Sequence, residues 1–452
     1  MNEDFMARLP FKISVFAILL SGLFLVMHAV DGRPEASAAS QESVYDSFLD
    51  IPGVTEEEAE AIGKLRQSGA SFVLGMEHST ECFIRQDGSV GGFSALLCDL
   101  LSRLFGISFT PAIYDWGNLI NGLASHEIDF TGDLTAAPER LKTYWMTGPI
   151  AGRPIKYMYL AGGKNISDIA GWKTVRYAFL EWGTAYKQTR LSLAGEYEIS
   201  YVSNRGTAYR MLKNEEIDAF VDEGPFEAVF DDYGGVMTED LAPLVYGPVS
   251  LSTRNPALAP VISVVQKALE SGLSKRLPGL YAQGYKDYAR DKFLKGLTEE
   301  EREYIRAHGE GGAPVKIAVE YDNYPAAFYN ETEKSWQGCA LDVLAEIESL
   351  SGLSFVQVHK DVMLWSDMLD MLESGEIALI SELIFTEERK NRFLWPDDPY
   401  MTDKYALISR ADTPDISINE VFQAKVGLSK GTAYTEQFHQ WFRGHTEARE
   451  YI

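Results

Sequence analysis

The sequence predicts an α/β protein built from two tandem copies of one bilobed domain. Each copy should hold doubly wound, mostly parallel sheets, with the second copy truncated and an N-terminal membrane helix or signal ahead of both. Three observations predict this. Short apolar runs alternate with amphipathic segments, the pattern of βαβ units. That alternation occurs twice, with matching landmarks at a nearly constant offset. An uncharged run of 18 residues, Ile13 to Val30, stands near the start of the chain behind Arg8 and Lys12.

The 452 residues carry 41 Lys+Arg against 66 Asp+Glu, a formal charge of −25. Such a composition has no basic face with which to neutralise phosphates, so nucleic acid is not expected as a partner. At roughly 150 residues per domain the length allows two or three domains, each able to bury a core. Cys82, Cys98 and Cys339 are an odd set and read as free thiols. A Cys82–Cys98 pair is the alternative in an oxidising compartment.

As a helix, Ile13 to Val30 would span about 27 Å, close to a bilayer core. Residues 1–30 are therefore read as an uncleaved anchor or a secretory signal, with Ala36-Ser37-Ala38 as a cleavage site. The flanking Arg8 and Lys12 place the N-terminus in the cytoplasm. Everything after Asp31 then lies on the periplasmic or extracellular side of the cytoplasmic membrane, anchored or secreted.

Residues 31–70, with EASAASQES and EEEAEAIGK, read as a polar spacer leading into a short helix. The first domain is placed at 71–292. SFVLGM is a strand, Gly92 to Phe105 a helix, ISFTPAI a strand, Trp116 to Ser125 a helix and Ile128 to Gly132 a strand. Pro154 to Ala161 is read as a strand that crosses to a second lobe, where VRYAF, EISYV and IDAFV alternate with helices. PVSLS returns, followed by helices at Pro256 to Glu270 and near Leu273 to Lys292. Lobe one is thus about 71–160 with 247–292, and lobe two about 161–246. A linker at 293–313 contains a helix capped by Thr298 and Glu301. The second domain starts at 314, with lobe one to about 410, and repeats the plan: VKIAV, Gly338 to Leu350, LSFVQV, Trp365 to Ser374 and IALIS.

The landmarks set the repeat. Gly92 and Phe109 match Gly338 and Phe355 at 246; Trp116, Ile128 and Arg140 match Trp365, Ile377 and Arg389 at 249. Gly183-Thr184-Ala185-Tyr186 matches Gly431-Thr432-Ala433-Tyr434 at 248. Adding 248 to position 290 puts the second domain's end near 538, about 86 residues beyond Ile452. The chain is accordingly expected to be a fragment with an incomplete second lobe in copy two, and copy two to be the protease-sensitive one. Two lobes joined by two crossing segments leave a cleft, the commonest setting for a small-ligand site.

Several stretches carry a family resemblance. They are GGFSALLCDLL and GCALDVL at the first helix, TAAPER and IFTEER after the third strand, MTGPIA and WPDDPYM before the crossing strand, and GTAY and IDAFVDEGP in lobe two. Both copies resemble the family 3 extracellular solute-binding domain, the two-lobed Venus flytrap of amino-acid transport. Tandem copies behind one membrane segment are similar to the sensory region of hybrid sensor histidine kinases.

An arginine after a strand and turn, with a hydroxyl five residues before it, suits a bidentate grip on a carboxylate. Copy one offers Arg140 and Thr135, positions that bind the ligand α-carboxylate in the family the chain resembles. Copy two offers Arg389 but has Ile384 at the hydroxyl position, leaving Ser381 and Thr386 as donors. The alternative for either arginine is an ion pair with a neighbouring acid. Gly183 with Thr184, and Gly431 with Thr432, present N–H groups and a hydroxyl at a helix start, where they could complete an anion site or simply cap the helix. Asp222 and Glu223 follow IDAFV, where the family carries an acid for the ligand α-amino group, and the family spacing favours Glu223; helix-dipole pairing is the other reading. Phe83 in copy one and Tyr321, Tyr324 and Phe328 in copy two would sandwich a ligand side chain, or else pack in the core. Glu77 and Glu320 sit at matching strand ends.

Nothing in the sequence points to catalysis. The seven histidines include no i, i+4 pair, and no phosphate-binding loop, nucleophile elbow or dinucleotide fingerprint is present. No catalytic residue, metal or cofactor is expected. The reading is an extracytoplasmic region that binds and senses a small, amino-acid-like molecule for a membrane signalling receptor, a fragment of a sensor histidine kinase. The alternative is the substrate-binding protein of an amino-acid ABC transporter. An enzymatic class also arises, since this fold occurs in dehydratases and fused to peptidoglycan lyases. Expected partners are a small-molecule ligand and the membrane, and a homodimer is one assembly open to the chain.

Overall fold

The computed structural model describes residues 45–451 apart from 164–165, 242–243, 310, 360, 397–398, 403–404, 415 and 431. The N-terminal anchor or signal, its cleavage site and Gly431 lie outside the described residues. Among the described residues no helix is long and apolar enough to cross a membrane. Contacts divide the chain at Asp291 and Lys292 into two units.

The first unit begins earlier than expected. Ser47 and Thr55 head capping boxes closed by Asp50 and Glu58, starting a short 3₁₀ turn and the helix Glu56–Gln67. Phe48 is buried and stacks on Phe105 with ring centroids 5.7 Å apart, and Ile62 is fully buried. Glu58 pairs with Lys267 at 2.6 Å; despite the cost of partial burial, Lys267 and Ser263 bring its carboxyl down to about 2. The stretch read as a spacer is therefore part of lobe one from Tyr45 onward. Its composition misled because only a narrow stripe of the helix faces the core.

Eleven strands follow: β1 (Ser71–Met76), β2 (Phe83–Ile84), β3 (Val90–Gly91), β4 (Ser108–Ile113), β5 (Phe130–Leu134), β6 (Trp145–Leu160), β7 (Val175–Leu180), β8 (Tyr197–Val202), β9 (Ala219–Glu223), β10 (Val236–Asp240) and β11 (Tyr246–Thr253). Lobe one has the order β4-β1-β5-β11-β6, and lobe two has β6-β9-β7-β8 with β10 also on β6. β1 pairs parallel with β4 and β5, as β7 does with β8 and β9, while the crossing strands run antiparallel. β1 is apolar on both faces because helices or strands cover each side, as parallel strands require. The helix Phe93–Phe105 buries Leu97, Leu101, Leu104 and Phe105, a 3.6-residue stripe over the Phe72, Phe109 and Phe130 rings. Its start demands glycine: Gly92 has φ +92°, and a Cβ there would lie 2.4 Å from the Glu81 carbonyl oxygen.

The crossing differs from the expected Pro154 to Ala161. β6 is one strand of 16 residues, paired with β11 through Pro154 and with β9 from Ile155 on. The lobe boundary thus falls near residue 154 rather than 160. At the crossing, Gly152, Arg153 and Pro154 face Pro248, Gly247 and Tyr246. Prolines on both strands supply no N–H, so the ladder is thin at this point.

In the second unit, Val315–Ala318 pairs parallel with Phe355–Gln357 and Leu379–Ile380, flanked by helices Cys339–Ser351 and Trp365–Ser374. Val426–Ser429 and Ala448–Tyr451 form a separate parallel pair beside the helix Ala433–Trp441. Ahead of them, Thr298 and Glu301 close the capping box of Glu299–His308. The helix Leu277–Gly296 runs unbroken past the expected boundary at 292. All three cysteines are free, Cys82 and Cys98 buried.

Candidate ligand site in the cleft of the first domain

One cavity lies between the lobes of the first unit. Its walls include Glu77, Thr135, Arg140, Gly183, Thr184, Asp222 and Glu223, which the sequence singled out, together with Trp116, Asp133, Arg153, Trp182, Arg205 and Phe226. The cleft is narrow, with about 30 Å³ of space for water, room for roughly two molecules, and it is partly open to solvent.

Each wall residue is placed by an element end. Glu77 follows β1 and Asp133 sits at the end of β5, where its Oδ2 accepts the Glu77 backbone N–H at 2.6 Å. Asp222 and Glu223 close β9 and project from lobe two toward the same point. Arg140 opens a 3₁₀ turn after β5 and donates to the Thr135 carbonyl at 3.1 Å, with its guanidinium 6.0 Å from the Trp116 ring. Among the described residues Arg140 has no ion-pair partner. Burial lowers its pKa, with no carboxylate close enough to outweigh that. In lobe two Thr184 has helical dihedrals, makes no side-chain cap bond and precedes a helix of only five residues, Ala185–Thr189. Thr432, in contrast, caps Ala433–Trp441 through the Thr435 N–H. The capping reading holds for Thr432 and fails for Thr184.

Two arginines that the sequence reading passed over dominate the cleft. Arg153 is 1% exposed and donates to Glu81 Oε1 and Oε2 at 2.9 and 2.7 Å, to Asp133 Oδ1 at 2.5 Å and to Glu223 Oε2 at 2.9 Å. Burial opposes its charge, yet three carboxylates raise its pKa well above the ordinary value. Arg205, in the first turn of the helix Arg205–Lys213, donates to Asp222 at 2.8 Å and to Glu77 at 3.1 Å, and lies 3.4 Å from the Phe226 centroid. Glu77 is pushed up to about 7 by burial and by the nearby Asp133 and Asp222 charges, which outweigh Arg205. Glu223 is raised by burial first, against the pull of Arg153. Contacts that join the lobes directly include Arg205 to Glu77, the Thr80 N–H to the Pro225 carbonyl at 2.8 Å, Trp116 stacked on Trp182 at 4.6 Å, and the Tyr288 hydroxyl donating to Asp231 at 2.6 Å. The crossing strand carries two charges in the sequence, Arg153 and Lys156, and nothing local singles out Arg153 as the one that reaches the cleft.

Phe83 does not reach the cavity. It is 1% exposed and packs on Tyr288 at 5.2 Å and on Ala228, the core reading rather than the sandwich. In copy two, Tyr324 is 77% exposed and leans on Phe328, and Tyr321 stacks on Tyr329 with its hydroxyl on Glu331. Arg389 is buried, donates to the Ile384 carbonyl at 3.4 Å and lies 3.4 Å from Glu436 Oε1. Glu320 accepts from Asn323 at 2.6 Å, and its N–H lies 3.4 Å from Glu382, repeating the Glu77–Asp133 arrangement. Among the described residues no group of three or more His, Cys, Asp or Glu side chains is placed to hold a metal ion.

The profile of the bacterial extracellular solute-binding proteins, family 3, matches residues 73–270 and again 315–451. The chain belongs to that family. This solute-binding protein has the mixed α/β, mostly parallel Venus flytrap fold, and the profile matches it in two segments. Among solved structures it is similar to the Bordetella pertussis BvgS periplasmic VFT2 domain, at 18% identity and TM-score 0.42, over 51% of this chain and 99% of that one. It is also similar to the whole BvgS periplasmic domain, at 15% identity and TM-score 0.39, over 89% and 78%. A Streptococcus pneumoniae amino-acid ABC transporter substrate-binding protein bound to L-arginine matches at 16% identity and TM-score 0.39, over 51% and 97%. Comparison with curated proteins gives no match.

Proposed function

We propose that this chain is the extracytoplasmic ligand-binding and sensing region of a membrane signalling receptor of the sensor histidine kinase kind. Copy one holds an amino-acid-like small molecule through its carboxylate, and the lobes close on it. The observation that carries this is the convergence of Arg140 and Thr135 from lobe one with Gly183, Thr184, Asp222 and Glu223 from lobe two around one cavity. A ligand drives such a transition only by binding the closed form better than the open one. The duplication favours sensing over transport, since a freely diffusing carrier needs only one binding domain.

Calorimetry on the wild type and on Arg140→Gln tests the site: heat of binding that persists unchanged in the variant would remove Arg140 from it. Fractionation tests the sensor. Retention with the cytoplasmic membrane after an alkaline wash is expected, and a soluble protein starting near Ala39 would favour the transport-associated binding protein.

A further inference from the structure

In copy one every carboxylate on the cavity wall is already matched to a guanidinium of the protein. Glu77 and Asp222 share Arg205, and Asp133 and Glu223 share Arg153. The cations are not all matched in return, because among the described residues Arg140 has the Thr135 carbonyl and the Trp116 ring but no carboxylate in an ion pair. The chain itself shows what completes such an arginine. At the equivalent place in copy two, Arg389 has the Glu436 carboxylate 3.4 Å away, and the residue 248 positions before Glu436 is the neutral Gln188.

We propose that the copy-one cleft takes a small organic-acid anion that lacks an ammonium group. It resembles an amino acid in its carboxylate and differs where an amino acid would present its charged nitrogen. This rests on the reading of Arg140 as the carboxylate grip. An ammonium entering here would find Asp222 and Glu223 engaged, and would have to displace Arg205 or Arg153 from buried carboxylates or lie unpaired against them. Either is unfavourable beside carboxylates that are themselves largely buried. An uncharged ligand body meets instead the indoles of Trp116 and Trp182 and the Phe226 ring, all on the cavity wall.

The test titrates the full chain with matched pairs differing only in the α-amino group: propionate and alanine, succinate and aspartate, glutarate and glutamate, 3-phenylpropionate and phenylalanine. At least one acid should bind about tenfold or more tightly than its amino partner, the size of one lost charged hydrogen bond. Arg140→Gln should abolish that binding, and Arg205→Gln, which releases Asp222, should narrow the gap within the pair. If the amino partners bind as well or better, still in an Arg140-dependent way, the organic-acid inference fails and the carboxylate grip stands. If no pair member binds, or binding ignores Arg140→Gln, the grip itself fails and the inference with it.

Discussion

In copy one Arg140 faces a cavity with a backbone carbonyl as its partner, whereas in copy two the equivalent Arg389 lies against Glu436 and is buried. The acids beside them differ in the opposite sense. Asp133 is held by Arg153 at 2.5 Å, while its counterpart Glu382 has no ion pair among the described residues and is pushed up to about 7, first by burial. One duplicated frame thus spends its charges in two ways. Copy one pairs its acids and leaves a cation for something else; copy two pairs its cation and buries an acid. A local repeat in sequence does not imply a repeated site.

That comparison can be broken at several points, the largest effect coming from Arg153→Met. It would strand Glu81, Asp133 and Glu223 in the interior, at a cost of about 3–5 kcal/mol. Urea unfolding followed by hydrogen exchange should show copy one destabilised and copy two unmoved; equal loss in both would mean the two copies do not respond separately. The second effect is pH dependence in copy two. Because Glu382 has a folded pKa above its unfolded value of 4.5, its penalty is absent below 4.5 and grows as pH rises to about 7. Glu382→Gln should therefore stabilise copy two by about 3 kcal/mol above pH 7 and by nothing at pH 4.5, read as exchange protection across residues 315–380. No pH difference between variant and wild type would show Glu382 to be solvated.

A smaller change is Gln188→Glu, which gives copy one the acid that copy two carries. It should weaken carboxylate binding by roughly tenfold through a tethered competitor, measured calorimetrically. An unchanged affinity would show that Gln188 and Glu436 are not equivalent. The smallest is Trp182→Ala, which removes an inter-lobe stack worth about 1 kcal/mol. Exchange of the Thr80 amide, bonded across the cleft to Pro225, should quicken about fivefold; an unchanged rate would show that the indoles add nothing to closure.

Local signals made much of the frame legible. The helices Phe93–Phe105 and Trp116–Ser125 were readable to within a residue because their apolar stripes are bounded by Gly92, Gly106 and Asp115. Strand ends were less so, and β5 lies two residues beyond the expected Ile128 to Gly132, where periodicity is too short to fix an end. Of the site, the residues next to GTAY and IDAFV were readable because turns expose them. Arg153 and Arg205 were not, since their partners stand 72 and 128 residues away at Glu81 and Glu77, and no local pattern records a pairing that only the tertiary fold creates. Phe83 failed for the same reason, its neighbour Tyr288 lying far along the chain.

The crossing strand β6 has a mechanical consequence. A strand shared by two sheets works as an axle, and the prolines and glycines at Gly152, Pro154, Gly247 and Pro248 put its softest point beside Arg153. Groups on an axle travel little when the lever turns, so Arg153 can keep hold of Glu81 and Asp133 through an opening stroke. Arg205 and Glu77, carried on opposite arms, would part in the same stroke. In the proposed opening, the pivot would thus hold one charge fixed and the arms would carry one that lets go.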